Sequence, residues 1–163
     1  QDLCFVLGDD YNQFLHEIVP DKMANVSEGP IVDEKDKEVG THKGFTNYTI
    51  GQRKGLGLSF SEPRYVKKIN PINNTIVISK KDALYSNHCT AYNINLLKND
   101  LSFPMNVMAQ IRYNSKPSSA IINMNKNNEI KIEFKTPQLA ITPGQSIVFY
   151  IDDILIGGAI IKL

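Results

Sequence analysis

Two features of this sequence could support chemistry: the cysteines, whose thiols can act as nucleophiles or metal ligands, and a group of cations among glycines, which could bind phosphate. The two cysteines, Cys4 and Cys89, have no C-x-x-C spacing and no histidine partners at zinc-ligand spacing, so no metal site is predicted. A reactive thiolate needs an electropositive setting or a helix N-terminus, whereas Asp2, Asp9 and Asp10 surround Cys4. From local sequence alone, both cysteines are therefore interpreted as small buried apolar residues.

The segment TIGQRKGLG, residues 49–57, places the adjacent cations Arg53 and Lys54 among three glycines. It lacks the spacing of a Walker A loop, and GLGLSF supplies only the first two glycines of a dinucleotide-binding loop, so no nucleotide site is expected here. Between His42 and Lys68, six cations and four interleaved aromatic residues face one acid, a pattern typical of RNA-binding surfaces. The alternative is a turn whose glycines need positive φ and whose cations are merely solvated.

Composition indicates a soluble globular protein: of 163 residues, 42% are hydrophobic and 21% charged. No apolar run is long enough for a membrane span. The net charge of +1 is uneven, because residues 1–40 carry ten acids and three bases while residues 41–163 carry seven acids and fifteen bases. This asymmetry favours a polyanionic partner for the second part. A chain that begins at Gln1 rather than Met is expected to be cut from a longer protein.

The residue pattern predicts a mainly β fold. A short helix is expected in GDDYNQFLHEIV, ended by Pro20, followed by a hairpin around DEKDK and by strands in RYVKKIN and NTIVISK. From about Asn99 onward, short strands recur at the spacing of a barrel or sandwich. In EIKIEF the alternation places Ile130, Ile132 and Phe134 on the inner face.

The predicted domain boundaries divide the chain into three parts. Residues 1–28 form a short helical segment, residues 29–97 a small mixed central module, and residues 98–163 a C-terminal antiparallel β-barrel. The main boundary falls in LLKNDLSFP, where polar residues and proline interrupt the apolar pattern. Each module alone would have a thin core.

Four motifs occur in order along the chain: QDLCF, HKGFTNYTIGQRKGLG, EPRYV and TPGQSIVFY. In this order and spacing they resemble the tRNA-specific 2-thiouridylases of the MnmA/TrmU type, across essentially the whole chain. The resemblance implies the C-terminal part of such an enzyme. Residues 1–28 would then be the tail of its catalytic domain, and the barrel of residues 98–163 would resemble domain 2 of translation elongation factors.

Members of that family make 2-thiouridine at the wobble position of tRNA: ATP adenylates the C2 oxygen of uridine, and a cysteine persulfide then delivers sulfur. The resemblance implies that an N-terminal PP-loop domain, missing from this chain, holds ATP with Mg. This chain alone is therefore expected to bind no cofactor and to be inactive. The implied partners are tRNA, the PP-loop domain and an upstream sulfur-donor protein, in the cytoplasm and without a membrane.

The resemblance also implies roles for single residues. Cys4 matches the persulfide-bearing cysteine of the S-Q-x-x-C-F motif. The resemblance therefore implies a sulfur-carrying thiolate where the local sequence indicated a buried apolar residue. Arg112 and Tyr113 match a barrel pair that contacts tRNA, and Gln145 matches a tRNA-contacting glutamine. The glycine-rich loop adds candidate contacts with tRNA or with a neighbouring domain: Gln52, Arg53 and Lys54.

Two other hypotheses stay open at this point. One is a stand-alone RNA- or protein-binding β-barrel with no enzymatic parent, which the gene sequence upstream of Gln1 would test. The other is a flavin-binding split barrel, which the visible absorbance of the purified protein would test.

Overall fold

The computed structural model describes residues 11–23, 26–98 and 100–162. It divides the chain into two compact units, Gln1–Ala83 and Leu84–Leu163, which are described separately below. Cys4, the predicted sulfur carrier, lies outside the described residues. Within the described part of the chain, no helix is both long and apolar enough to cross a membrane.

The first unit is built on a small mixed sheet with the strand order β2-β1-β4-β3. Strand β1 is parallel to β4, and the other two pairings are antiparallel. The core of this unit comprises Ile31, Leu56, Val66, Ile76 and Ile78. Its elements are α1 Tyr11–Ile18, α2 Pro20–Met23, β1 Gly29–Val32, β2 Glu38–His42, β3 Tyr65–Asn70 and β4 Thr75–Ser79, with a 3-10 turn at Phe45–Asn47.

The turn between β1 and β2 agrees with the hairpin that the sequence predicts. The Asp33 carboxylate accepts hydrogen bonds from the backbone N–H groups of Lys35 (2.8 Å) and Lys37 (3.0 Å). These two bonds hold the pKa of Asp33 below its usual value. Asp36 takes a positive φ of 59°, a conformation that aspartate tolerates in turns.

The second unit is a closed six-stranded barrel with the order β10-β5-β8-β7-β6-β9. Every strand pairing within it is antiparallel. The predicted alternation in β8 is confirmed, since Ile130, Ile132 and Phe134 are almost completely buried in the barrel core. The strands are β5 Tyr85–Leu96, β6 Met105–Gln110, β7 Ser118–Met124, β8 Ile130–Leu139, β9 Ser146–Ile151 and β10 Ile154–Ile161, after a 3-10 turn at Lys81–Leu84.

The structure places the division between the modules differently from the predicted boundary at 97/98. Strand β5, which the prediction assigned to the central module, pairs with β8 on one side and β10 on the other. Without β5 the barrel could not close. The predicted boundary falls between β5 and β6, two strands of the same barrel, and a composition shift cannot distinguish a connection between strands from a linker between domains.

Two glycines allow β10 to close the barrel. A Cβ atom at Gly157 would lie 2.4 Å from the carbonyl oxygen of Asn95 in β5, and a Cβ at Gly158 would lie 2.9 Å from the carbonyl oxygen of Ile147 in β9. Gly157 also has a φ of 152°, which L-residues rarely adopt. The closing strand therefore approaches both neighbours more closely than a side chain permits.

We expect Gly157→Ala to lower the free energy of unfolding by about 3 kcal/mol, because backbone strain and steric overlap add. Gly144→Ala is the matched control: Gly144 has a φ of 83°, but a Cβ there would meet no atom within 4 Å. Its expected loss is about 1 kcal/mol, from backbone strain alone. Denaturant unfolding measures both losses, and equal losses would show that close approach does not limit residue 157.

Candidate nucleic-acid interface

The pairing of β6 with β9 brings two predicted contact sites together. Arg112 and Tyr113 follow β6, and Gln145 directly precedes β9. Strands β6 and β9 are antiparallel neighbours, with Gln110 opposite Val148. The end of β6 and the start of β9 therefore lie side by side, although the two segments are far apart in sequence.

Arg112 connects the two loops through its side chain. Its Nη2 donates hydrogen bonds to the carbonyl oxygen of Ala140 and to Oγ1 of Thr142, the latter at 3.3 Å. Thr142 Oγ1 in turn donates to the same carbonyl oxygen at 2.9 Å. A guanidinium has five N–H donors, so the donors that these bonds leave unused on the exposed Arg112 can still meet an anion.

Tyr113 and Gln145 present side chains to solvent from this connected pair of loops. Tyr113 is 95% exposed, so nearly its whole ring is accessible. The backbone of Gln145 is held by Ile161, whose N–H donates to the Gln145 carbonyl oxygen at 2.9 Å. The Gln145 side chain is exposed and makes no hydrogen bond to the described residues. The backbone is ordered while both side chains are free to contact a ligand.

Gln110 supports the loop that carries Arg112 and Tyr113. Its Nε2 donates to the carbonyl oxygens of Tyr113 (3.0 Å) and Ser115 (2.7 Å), and its Oε1 accepts from Tyr150 Oη at 3.4 Å. Sequence reasoning missed Gln110. The only available signal was a polar residue at the end of a strand, and its partners are backbone carbonyls that no sequence motif reveals.

The glycine-rich loop of the first unit is joined to the start of β3. The N–H of Gly51 donates to the carbonyl oxygen of Val66 at 2.7 Å, and the N–H of Val66 donates to that of Gln52 at 2.9 Å. All three glycines, Gly51, Gly55 and Gly57, have positive φ, at 88°, 75° and 68°. The glycines are therefore explained by the positive φ angles that the loop backbone requires. Because the loop leads to a strand rather than a helix, it offers no helix N-terminus for a phosphate.

Gln52 braces this loop from within. Its Oε1 accepts the N–H of Thr49 at 2.9 Å, and its Nε2 donates to the carbonyl oxygen of Lys54 at 2.9 Å. Both ends of the amide are therefore occupied inside the loop. Arg53 and Lys54 are exposed, and neither makes an ion pair with another described residue. Of the three predicted contacts in this loop, the two cations are the groups free to meet a partner.

The described residues contain no group of three or more His, Cys, Asp or Glu side chains placed to hold a metal ion. Cys89 packs partly buried against the barrel core, and this burial raises the pKa of its thiol to about 12. The thiol therefore stays protonated and is a poor nucleophile at neutral pH.

The buried His42 has both ring nitrogens in hydrogen bonds. Its Nδ1 accepts the N–H of Gly44, so its Nε2 donates to the carbonyl oxygen of Asn74.

Two protein-family models match the chain, one for each unit. Residues 12–80 match the tRNA methyl transferase PRC-barrel domain, and residues 86–161 match the aminomethyltransferase beta-barrel domain. The match to the beta-barrel domain begins at residue 86, the second residue of β5, and so includes this strand in the barrel, in agreement with the strand pairing.

Curated relatives match the chain almost from end to end. It is 44% identical to the tRNA-specific 2-thiouridylase MnmA of Acetivibrio thermocellus over 99% of this chain and 45% of that protein. It is 43% identical to the MnmA of Pelotomaculum thermopropionicum over 99% of this chain and 44% of that protein. The chain thus spans less than half the length of these relatives.

Replacing Gln110 with leucine should loosen the loop that carries Tyr113, because two carbonyl oxygens lose their donor while the side-chain volume is kept. We expect amide hydrogen exchange at Ser115 to accelerate about tenfold. Gln138→Leu is the control, since Gln138 Nε2 donates only to its near neighbour Thr136. Unchanged exchange at Ser115 in the Gln110 variant would show that Gln110 does not support the loop.

Proposed function

This chain belongs to the family of MnmA-type tRNA-specific 2-thiouridylases, corresponding to their C-terminal part, and from that membership we propose that it binds tRNA for wobble-uridine thiolation. The observation that carries this proposal is the pair of barrel loops joined by Arg112. They present Tyr113 and Gln145 to solvent on an ordered backbone.

The chemistry of these side chains suits RNA. An exposed tyrosine ring can stack on an unpaired base, an amide can bond a ribose or base edge, and a guanidinium can meet a phosphate. The charge distribution supports the same partner, because residues 41–163 carry fifteen bases against seven acids. Binding of this kind releases counterions and should therefore weaken steeply as salt rises.

The catalytic part of the proposal concerns Cys4 and rests on the resemblance of QDLCF to the family motif. In the proposed enzyme a sulfur-donor protein loads Cys4 with a persulfide, whose outer sulfur attacks the adenylated C2 of uridine and displaces AMP. A second cysteine of the enzyme then attacks Sγ of Cys4, so that the S–S bond breaks, a disulfide forms and the sulfur stays on C2. The ATP-dependent adenylation of uridine is assigned to a part of the enzyme outside the described residues. Cys89 is unsuited to sulfur transfer, since burial keeps its thiol protonated.

We expect Tyr113→Ala to weaken the affinity of this chain for a wobble-uridine tRNA by about tenfold, from the loss of one base-stacking contact. Tyr92→Ala is the matched control, because Tyr92 is also an exposed tyrosine of the barrel, on β5, and 47% of it is accessible. Fluorescence anisotropy with labelled tRNA measures both affinities. An equal effect of the two substitutions would count against the proposed interface.

In the enzyme that contains this chain, Cys4→Ser should abolish 2-thiouridine formation and leave tRNA affinity unchanged, since a hydroxyl cannot carry a persulfide sulfur. Cys89→Ala should retain thiolation, because that thiol is part of the barrel packing. Mass spectrometry of nucleosides from the reacted tRNA gives the readout. Thiolation by the Cys4→Ser enzyme would rule out the sulfur-carrier role.

A further inference from the structure

A cationic groove of about 320 Å³ opens on the surface of the first unit. It lies beside the glycine-rich loop and is lined by residues of the first unit only. The lining residues that matter here are Arg53, Leu56, Leu58, Phe60, Glu62 and Arg64. Its volume is at the lower end of the range for small-ligand sites and suits a unit the size of one nucleotide.

The floor of the groove is fixed to the core of the unit. Leu56 is 6% exposed and belongs to the core cluster, and Leu58 packs against that cluster while partly buried. Leu58 also lies so close to Gly40 that a Cβ there would come within 2.4 Å of its side chain. The Gln52 amide bonds and Leu56 together hold the loop on which Arg53 stands.

Phe60 and Arg64 also line the groove. The Arg64 guanidinium lies over the Phe60 ring, 5.8 Å from its centroid, which is the geometry of a cation–π contact. This contact restricts the guanidinium before any ligand arrives, so less conformational entropy is lost on binding. Phe60 itself remains 39% exposed, so part of its ring stays accessible.

The charge of the groove is not neutralised from within. Its acidic residue, Glu62, forms an ion pair with Lys80, and the Lys80 hydrogen bond and charge hold the pKa of Glu62 below its usual value. Neither Arg53 nor Arg64 forms an ion pair with another described residue. The one carboxylate among these lining residues, Glu62, thus pairs with Lys80 and is also stabilised by the charge of Arg64, and the two guanidiniums leave the groove with a net positive charge that favours a bound anion.

We propose that this groove binds a backbone phosphate of tRNA, with a neighbouring nucleotide against the exposed part of Phe60. The proposal rests on the proposed function and extends it from the barrel to the first unit. Guanidiniums match phosphate oxygens with paired N–H donors, and stacking on an aromatic ring suits an unpaired base. An acidic protein segment would satisfy the arginines but would leave the exposed aromatic ring without a specific role.

The test uses the double variant R53Q/R64Q of this chain, which removes two charges and keeps most of each side-chain stem. Labelled wobble-uridine tRNA is titrated at several salt concentrations, and thermal melting verifies that each variant is folded. The matched control is K35Q/K37Q, which removes the same charge from an exposed turn of the same unit. That turn also carries Glu34, Asp36 and Glu38, so its net charge is negative, and Lys35 lines a neighbouring depression together with Phe60 and Arg64. A general loss of positive charge near the groove would therefore weaken both double variants equally.

We expect R53Q/R64Q to bind tRNA about tenfold more weakly than K35Q/K37Q. The slope of log affinity against log salt should be shallower by about 1 to 2, as the loss of one or two phosphate contacts requires. The single variant R64K, which keeps the charge but loses the planar fork, should weaken affinity with little change in slope.

Two results would overturn the inference in different ways. If tRNA binds normally, Tyr113→Ala weakens it, and R53Q/R64Q behaves like the control, then the groove does not bind RNA while the proposed function stands. A groove that serves an acidic protein segment would give this same result. If the unsubstituted chain binds no tRNA, the proposed function and the inference both fail.

Discussion

Closure of the six-stranded barrel is the constraint on which the candidate interface depends. The sheet closes because β10 fits between β5 and β9. At Gly157 and Gly158 the neighbouring strands come so close that no side chain could be accommodated. In the closed barrel β6 also pairs with β9, which places the loop of Arg112 beside the loop of Gln145. A sheet that opened between β6 and β9 would separate those loops, since this strand pairing joins two segments that are distant in sequence.

Both candidate surfaces use a glutamine to hold a loop and leave other side chains free. Gln110 bonds two carbonyl oxygens of the loop that presents Tyr113, and Gln52 bonds one N–H and one carbonyl oxygen of the loop that presents Arg53. A primary amide suits this task because it is donor and acceptor at once. Order in the backbone lowers the entropy that a ligand must remove, so exposed side chains on braced loops bind more efficiently.

The two units therefore have the same kind of construction: in each, a packed apolar core supports a polar loop. In the first unit Leu56 links the loop to the core, and in the second the pairing of β6 with β9 does so. The groove beside Arg64 in the first unit and the barrel loops beside Arg112 in the second are both proposed to bind RNA, through different residues. Because phosphate contacts contribute nearly independently, two such surfaces would make tRNA binding strongly dependent on salt.

Local sequence determined much of this protein. The sequence alone predicted the alternation around Ile132, the β1–β2 hairpin and the motifs of the family. Side-chain periodicity and turn chemistry act over only a few residues, so they can be recognised without coordinates. The membership of β5 in the barrel, the bridge from Arg112 to Thr142 and the stacking of Arg64 on Phe60 were decided by tertiary structure alone. Each of these joins groups whose distance depends on how the sheet closes or the loop folds back, which a local pattern does not encode.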